Sequence, residues 1–139
     1  MRFMLQVRAD RDTEAGILPS RELVAAMGEF NERMIKAGIM LAADGLQPSS
    51  KGARVSFASG KPSVTDGPFA DPSELIAGFW MIQVNSRQEA IDWACQAPFP
   101  SGVIEIRQVF EPTDFPPEIL PPEAAAREQA WHDEHRPKG

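Results

Sequence analysis

Glu74-Leu75-Ile76-Ala77-Gly78-Phe79-Trp80-Met81-Ile82 is the most hydrophobic stretch of the chain, and it follows the turn-bearing segment Val64-Thr65-Asp66-Gly67-Pro68-Phe69-Ala70-Asp71. Alternation along a strand running from Ala77 to Asn85 puts Phe79, Met81 and Gln83 on one face and Trp80, Ile82 and Val84 on the other. Both faces carry large apolar side chains, so this strand is expected to be covered on both sides. A sheet built around it needs two covers.

The segments on either side supply the rest of the sheet and one of those covers. Arg2 to Arg8 alternates with Phe3, Leu5 and Val7 on one face and reads as a first strand. Asp10 to Leu18 is a polar connection. Ser20 is placed to cap a helix on which Leu23, Met27, Phe30 and Met34 recur at helical spacing, and Gly38 stops it. Ile39 to Leu46 and Ala53 to Ala58 read as strands joined by the turn-rich Gln47-Pro48-Ser49-Ser50-Lys51-Gly52. Ser59-Gly60-Lys61-Pro62 turns the chain into a short strand from Ser63 to Thr65. Beyond the central strand, Ser86-Arg87-Gln88-Glu89 is a capping box opening a helix with Ala90, Trp93, Ala94 and Ala97 on one side, ending before Pro98. In the last strand, Val103 to Phe110, Ile104 and Ile106 point one way while Glu105 and Arg107 point the other. This order predicts an α+β domain over residues 1–111, an antiparallel sheet with both helices on one face. Residues 112–139 form a Pro-rich C-terminal tail, with a short Ala- and Glu-rich helix from Pro122 to about His135 compatible with its composition.

At 139 residues the chain has room for one domain and a tail. A net charge of −6, with its cations scattered, argues against a nucleic-acid partner, which needs a basic stripe to displace counterions. No apolar run is long enough to cross a bilayer, and the N-terminal strand is soon interrupted by Arg8, Asp10 and Arg11, unlike a signal peptide. A cytoplasmic location is the resulting expectation. Cys95 is the only cysteine, which rules out an internal disulfide; it reads as a core thiol on the second helix.

Asp66-Gly67-Pro68-Phe69, taken with Ala37-Gly38, Gly45-Leu46, the central-strand residues, Glu89-Ala90, Trp93-Ala94, Pro98 and Glu105-Ile106-Arg107, resembles the DGPF signature and frame of the YCII-related family from Met1 to about Glu111. The resemblance implies a ferredoxin-like fold that pairs into a homodimeric α+β barrel, with a cleft between the sheets. It also implies, in some branches, a His–Asp pair in that cleft. Residues 1–131 contain no histidine, so that pair is missing from this chain. Other departures are Ser73-Glu74 where Lys-Glu is common, Arg107-Gln108 where Arg-Pro is common, and Ala97 in place of an aspartate.

Five residues are candidates for a site. Asp66, beside a Gly-Pro turn, can serve as a general base if burial raises its pKa, or can simply cap its own turn. Glu105 can act as acid or base while Arg107 clamps a substrate carboxylate; the alternative is an ion pair that completes an interface. Asp44, beside Gly45, is a further polar candidate for binding. Trp80 can line an apolar pocket or belong to the core. His132-Asp133-Glu134-His135 places two histidines on one helical turn, but no second ligand cluster accompanies them, so no metal is expected. Phosphate-binding glycine loops, a Ser-His-Asp order and a nucleophile elbow are absent, so no cofactor is expected either. Two functions fit: a cofactor-independent enzyme acting on a small organic substrate in an intersheet cleft, or a non-catalytic ligand-binding or regulatory module.

Overall fold

The computed structural model describes residues 1–136. Four strands form the main sheet: β1 (Arg2–Arg8), β2 (Met40–Gly45), β5 (Ile76–Gln83) and β6 (Ile104–Gln108). Their order is β2-β5-β1-β6, with every neighbour antiparallel. Helices α2 (Arg21–Lys36) and α3 (Arg87–Ala94) connect β1 to β2 and β5 to β6. This mixed α+β arrangement is consistent with a ferredoxin-like fold. Strands β3 (Ala53–Ala58) and β4 (Lys61–Asp66) form a separate two-stranded sheet inserted between β2 and β5.

Alternation in the strands decides which side chains reach the helices. Phe3 and Leu5 of β1, and Trp80 and Ile82 of β5 with Val84 just beyond it, point to one side and are buried with Phe30 and Met34 of α2, Ile39 and Ala90 of α3. Phe3, Leu5, Phe30, Met34 and Ile82 are fully buried, and each stabilises the fold by about 1.5–3 kcal/mol relative to exposure. Phe30 meets Trp80 edge to face at 5.4 Å, the geometry preferred by two ring quadrupoles.

Helix α2 begins where Ser20 accepts a hydrogen bond from the Leu23 N–H at 3.1 Å. It ends with Gly38 at φ +73, a conformation that a side chain would strain. At α3 the Ser86 hydroxyl accepts from the Glu89 N–H as expected, but the Glu89 carboxylate reaches one residue further back, to the Asn85 N–H. This helix closes earlier than expected, leaving Cys95 as its exposed C-terminal cap rather than a core thiol. The connection after β1 holds a short helix, α1 (Arg11–Glu14), closed by reciprocal Asp10 and Thr13 hydrogen bonds. Its Asp-x-x-Thr pattern is a capping box that a polar-loop reading passes over. In the tail, α4 (Pro122–Glu134) forms with no buried residue. No helix among the described residues is long and apolar enough to cross a membrane.

The β3–β4 hairpin turns at Ser59-Gly60, both with positive φ, matching the twist of its strands. It runs from Lys61 to Asp66 on its return, longer than the Ser63–Thr65 strand expected. Every residue of both strands is exposed.

Candidate functional site

The face of the main sheet opposite α2 and α3 carries the other half of the alternation. Across the strands, register aligns Asp44, Phe79, Gln6 and Glu105 in one row and Ala42, Met81, Met4 and Arg107 in the next. The centre of this face is thus Phe79, Met81 and Met4, all half-buried, with polar groups at its two edges. Side chains in such rows stand close enough to act together.

At the β6 edge the polar groups converge. The Arg8 guanidinium donates to Glu105 Oε1 at 2.5 Å and to the Ser73 carbonyl at 2.6 Å. Arg107 approaches the other Glu105 oxygen at 3.4 Å. The hydrogen bond from Arg8, and then the one from Arg107, hold the Glu105 carboxyl below the ordinary carboxylate range. A carboxylate kept ionised by two cations is a poor proton acceptor near neutrality, so its chemistry is that of an anchor. Arg107 contributes only one long contact and leaves 69% of its side chain exposed, so its remaining donors face outward. At the far end of the face, Arg2 pairs with both oxygens of Glu111, at 2.7 and 3.1 Å.

The five residues singled out from the sequence do not form one cluster. Glu105 and Arg107 come together. Asp44 shares their face but sits on β2, the opposite edge of the sheet. Trp80 points the other way, into the core, where its indole N–H donates to Asn31 Oδ1 at 2.8 Å. The core position is dictated by parity, which puts Trp80 in step with Ile82 and Val84 rather than with Phe79. Asp66 ends β4 in the separate hairpin sheet, exposed, and no hydrogen bond described for its side chain joins it to Glu105, Arg107 or Asp44.

Other residues hold the turn that Asp66 was read as capping. Glu14 accepts from the Ser49 N–H at 3.0 Å and from the Ser49 hydroxyl, and that hydroxyl accepts from the Phe69 N–H at 3.0 Å. Asp71 accepts from the Ser73 N–H and hydroxyl, which lowers its pKa. The Arg54 guanidinium lies 3.8 Å from the centre of the Phe69 ring. A Cβ on Gly67 would lie 1.8 Å from the Ser49 carbonyl oxygen, so only glycine fits there.

Sequence reasoning missed Arg8, whose signal is parity: Arg2, Gln6 and Arg8 alternate with the core residues of β1. It also missed the placement of α4. A cleft of about 400 Å³ is floored by Leu41, Met81 and Gln83 and walled by Trp131, His132 and His135. It contains none of the five candidates. His135 stacks on Trp131 at 4.2 Å, and His132 lies 3.8 Å from Glu128. Among the described residues no group of His, Cys, Asp and Glu is arranged to hold a metal ion.

Comparison with known proteins places this architecture. Residues 1–113 match the YCII-related domain, and the chain belongs to that family. It is also similar to an uncharacterized protein of Rhizobium meliloti (strain 1021), 30% identical over 95 residues, which cover 65% of this chain and 77% of the relative.

Proposed function

We propose that the chain works as a homodimer whose sheet faces meet at the Gln6–Phe79–Glu105 end, the end away from the α4 cleft, and that the space between them binds a small organic anion without turning it over. The observation that carries this reading is the Arg8–Glu105–Arg107 cluster at the rim of an apolar face. Phe79, Met81 and Met4 offer a surface for a carbon skeleton, and the outward donors of Arg107 offer a clamp for a carboxylate. The ionised Glu105 holds Arg8 and Arg107 in place and blocks neither. A cytoplasmic setting fits this role. The domain proper is residues 1–111, and residues 112–139 are an appendage to it.

The test is titration of the isotopically labelled protein with simple mono- and dicarboxylates, benzoate and succinate among them, followed by amide resonances. Shifts should appear at Gln6, Phe79 and Arg107 and should be lost in Arg107→Ala. Absence of shifts at millimolar ligand, or their persistence in Arg107→Ala, would overturn the reading. A second reading, a cofactor-independent enzyme, is favoured by one observation. With Glu14, Ser49 and Asp71 holding the turn, no described hydrogen bond occupies the Asp66 carboxylate, which would then be the base, in the hairpin sheet and apart from both Asp44 on β2 and Arg107 on β6. Under it, a carboxylate seen to bind would also be consumed, and Asp66→Asn would abolish turnover while leaving binding intact.

A further inference from the structure

We infer that the cleft between α4 and the main sheet is a second binding site, and that it takes a neutral aromatic alcohol such as a phenol. The cleft lies within one protomer, at the end of the sheet where Arg2 is opposite Gln83, and does not depend on the dimer proposed above. Its floor is apolar, with Leu41 and Met81 at the centre, and its roof is α4. Trp131 is the only large apolar side chain on that helix, and it lines the cleft with 56% of its surface exposed. An indole ring and a methionine thioether are both surfaces against which a flat ring packs well. The volume of about 400 Å³ lies in the range of ordinary small-molecule pockets.

The charged groups around the cleft exclude an ion as its occupant. Arg2 is held by both oxygens of Glu111, and Arg136 donates to Gln83 Oε1. Asp133 accepts from Gln129 at 3.1 Å, the Met1 amine donates to the Val84 carbonyl at 2.9 Å, and His132 lies beside Glu128. Acids and bases stand together there, so neither an anion nor a cation meets a field of opposite sign. One group remains to orient a neutral ligand. His135 Nδ1 lies 2.8 Å from the Trp131 carbonyl oxygen. A carbonyl only accepts, so Nδ1 carries the ring proton, and in the neutral imidazole Nε2 is then a bare lone pair. The ring lies nearly flat on Trp131, at 20° between planes, which fixes this acceptor against the aromatic wall. An apolar floor, an aromatic wall and one fixed acceptor together select a flat ring that carries a hydroxyl donor.

The experiment is titration of the isotopically labelled full-length protein with 4-methylphenol, its methyl ether and benzoate. Mildly alkaline buffer keeps imidazoles neutral and phenols un-ionised. The Trp131 indole N–H and the amides of Leu41 and Gln83 should shift with 4-methylphenol, while those of Gln6 and Arg107 stay in place. The ether keeps the ring and loses the donor, so it should bind about fivefold more weakly. His135→Phe retains a ring to stack on Trp131 and removes the acceptor. It should bring the phenol down to the affinity of the ether and leave the ether within about twofold of wild type. Trp131→Ala should weaken both. Because α4 buries no residue, both variants should keep an unchanged circular dichroism spectrum; the phenol–ether comparison in wild type tests the inference without them. No shift at millimolar phenol, an ether that binds as well as the phenol, or equal losses of both in His135→Phe would overturn it. Benzoate shifting Trp131 as strongly as the phenol does would overturn the neutral class of ligand. Benzoate shifts confined to Gln6, Phe79 and Arg107 bear on the sheet-face reading alone, and the two sites stand or fall separately.

Discussion

Glu105 is the residue whose charge state the structure constrains most directly. Arg8 and Arg107 lower its pKa from the ordinary 4.5, so the folded protein holds its proton less tightly than the unfolded chain does. The stabilisation this brings is complete above 4.5 and is lost as pH falls through the lowered folded-state value. Wild type and Glu105→Gln, compared by urea denaturation across an acid series, should therefore differ at neutral pH and converge below that window. A gap that widens on acidification would mean that the carboxylate is not held by the two cations. The pairing of Glu105 with Arg107 was legible from spacing alone, because residues two apart on a strand share a face. Arg8 was not, since it lies 97 positions from Glu105 and only the β1–β6 register brings them together. Asp66 shows the same limit. Its turn was correctly read from Gly67-Pro68, but the carboxylate that holds the turn through Ser49 comes from Glu14, 35 positions away from that serine.

At the scale of elements, local signals located most of the strands and helices. Ser20 and Gly38 bound α2 where a hydroxyl cap and a left-handed glycine dictate, and parity separated Trp80, Ile82 and Val84 from Phe79, Met81 and Gln83. The hairpin was harder. Val55, Phe57 and Val64 alternate as strand residues should, yet alternation reports only that one face is apolar, not whether the same chain covers it. Here the main sheet does not. The attachment of this hairpin depends on the closeness of Gly67 to Ser49. Gly67→Ala forces a backbone carbonyl aside, and such overpacking costs about 1–3 kcal/mol. Hydrogen exchange should show the effect locally: ladder amides of β3 and β4 should exchange about tenfold faster or more, while those of β1 and β5 stay protected. Uniform loss of protection across both sheets would show that the hairpin and the main sheet unfold as one unit.

For the whole molecule, the tail poses the question of where the domain ends. The helix α4 buries none of its residues, although it roofs the cleft over Leu41, Met81 and Gln83. Deleting Pro121 to Gly139 should shift the thermal midpoint by less than about 4 °C, the change expected of less than 1 kcal/mol in a domain of this size. A larger loss would identify the deleted segment around Trp131 as an anchor. Sequence composition suggested such independence but not the position of α4, because nothing in an Ala- and Glu-rich segment says which surface it will cross. The exposed, root-anchored hairpin has a consequence for how this chain can vary in length. No core residue lies between Ala53 and Asp66, so the arm can grow or shrink without disturbing the packing of the body. Such changes must come in steps of two residues per strand, each adding roughly 7 Å of reach and keeping the valine and phenylalanine row on its original side. A single inserted residue would turn that row over and present Arg54, Ser56 and Ser63 in its place, so reach is free to drift while parity is not.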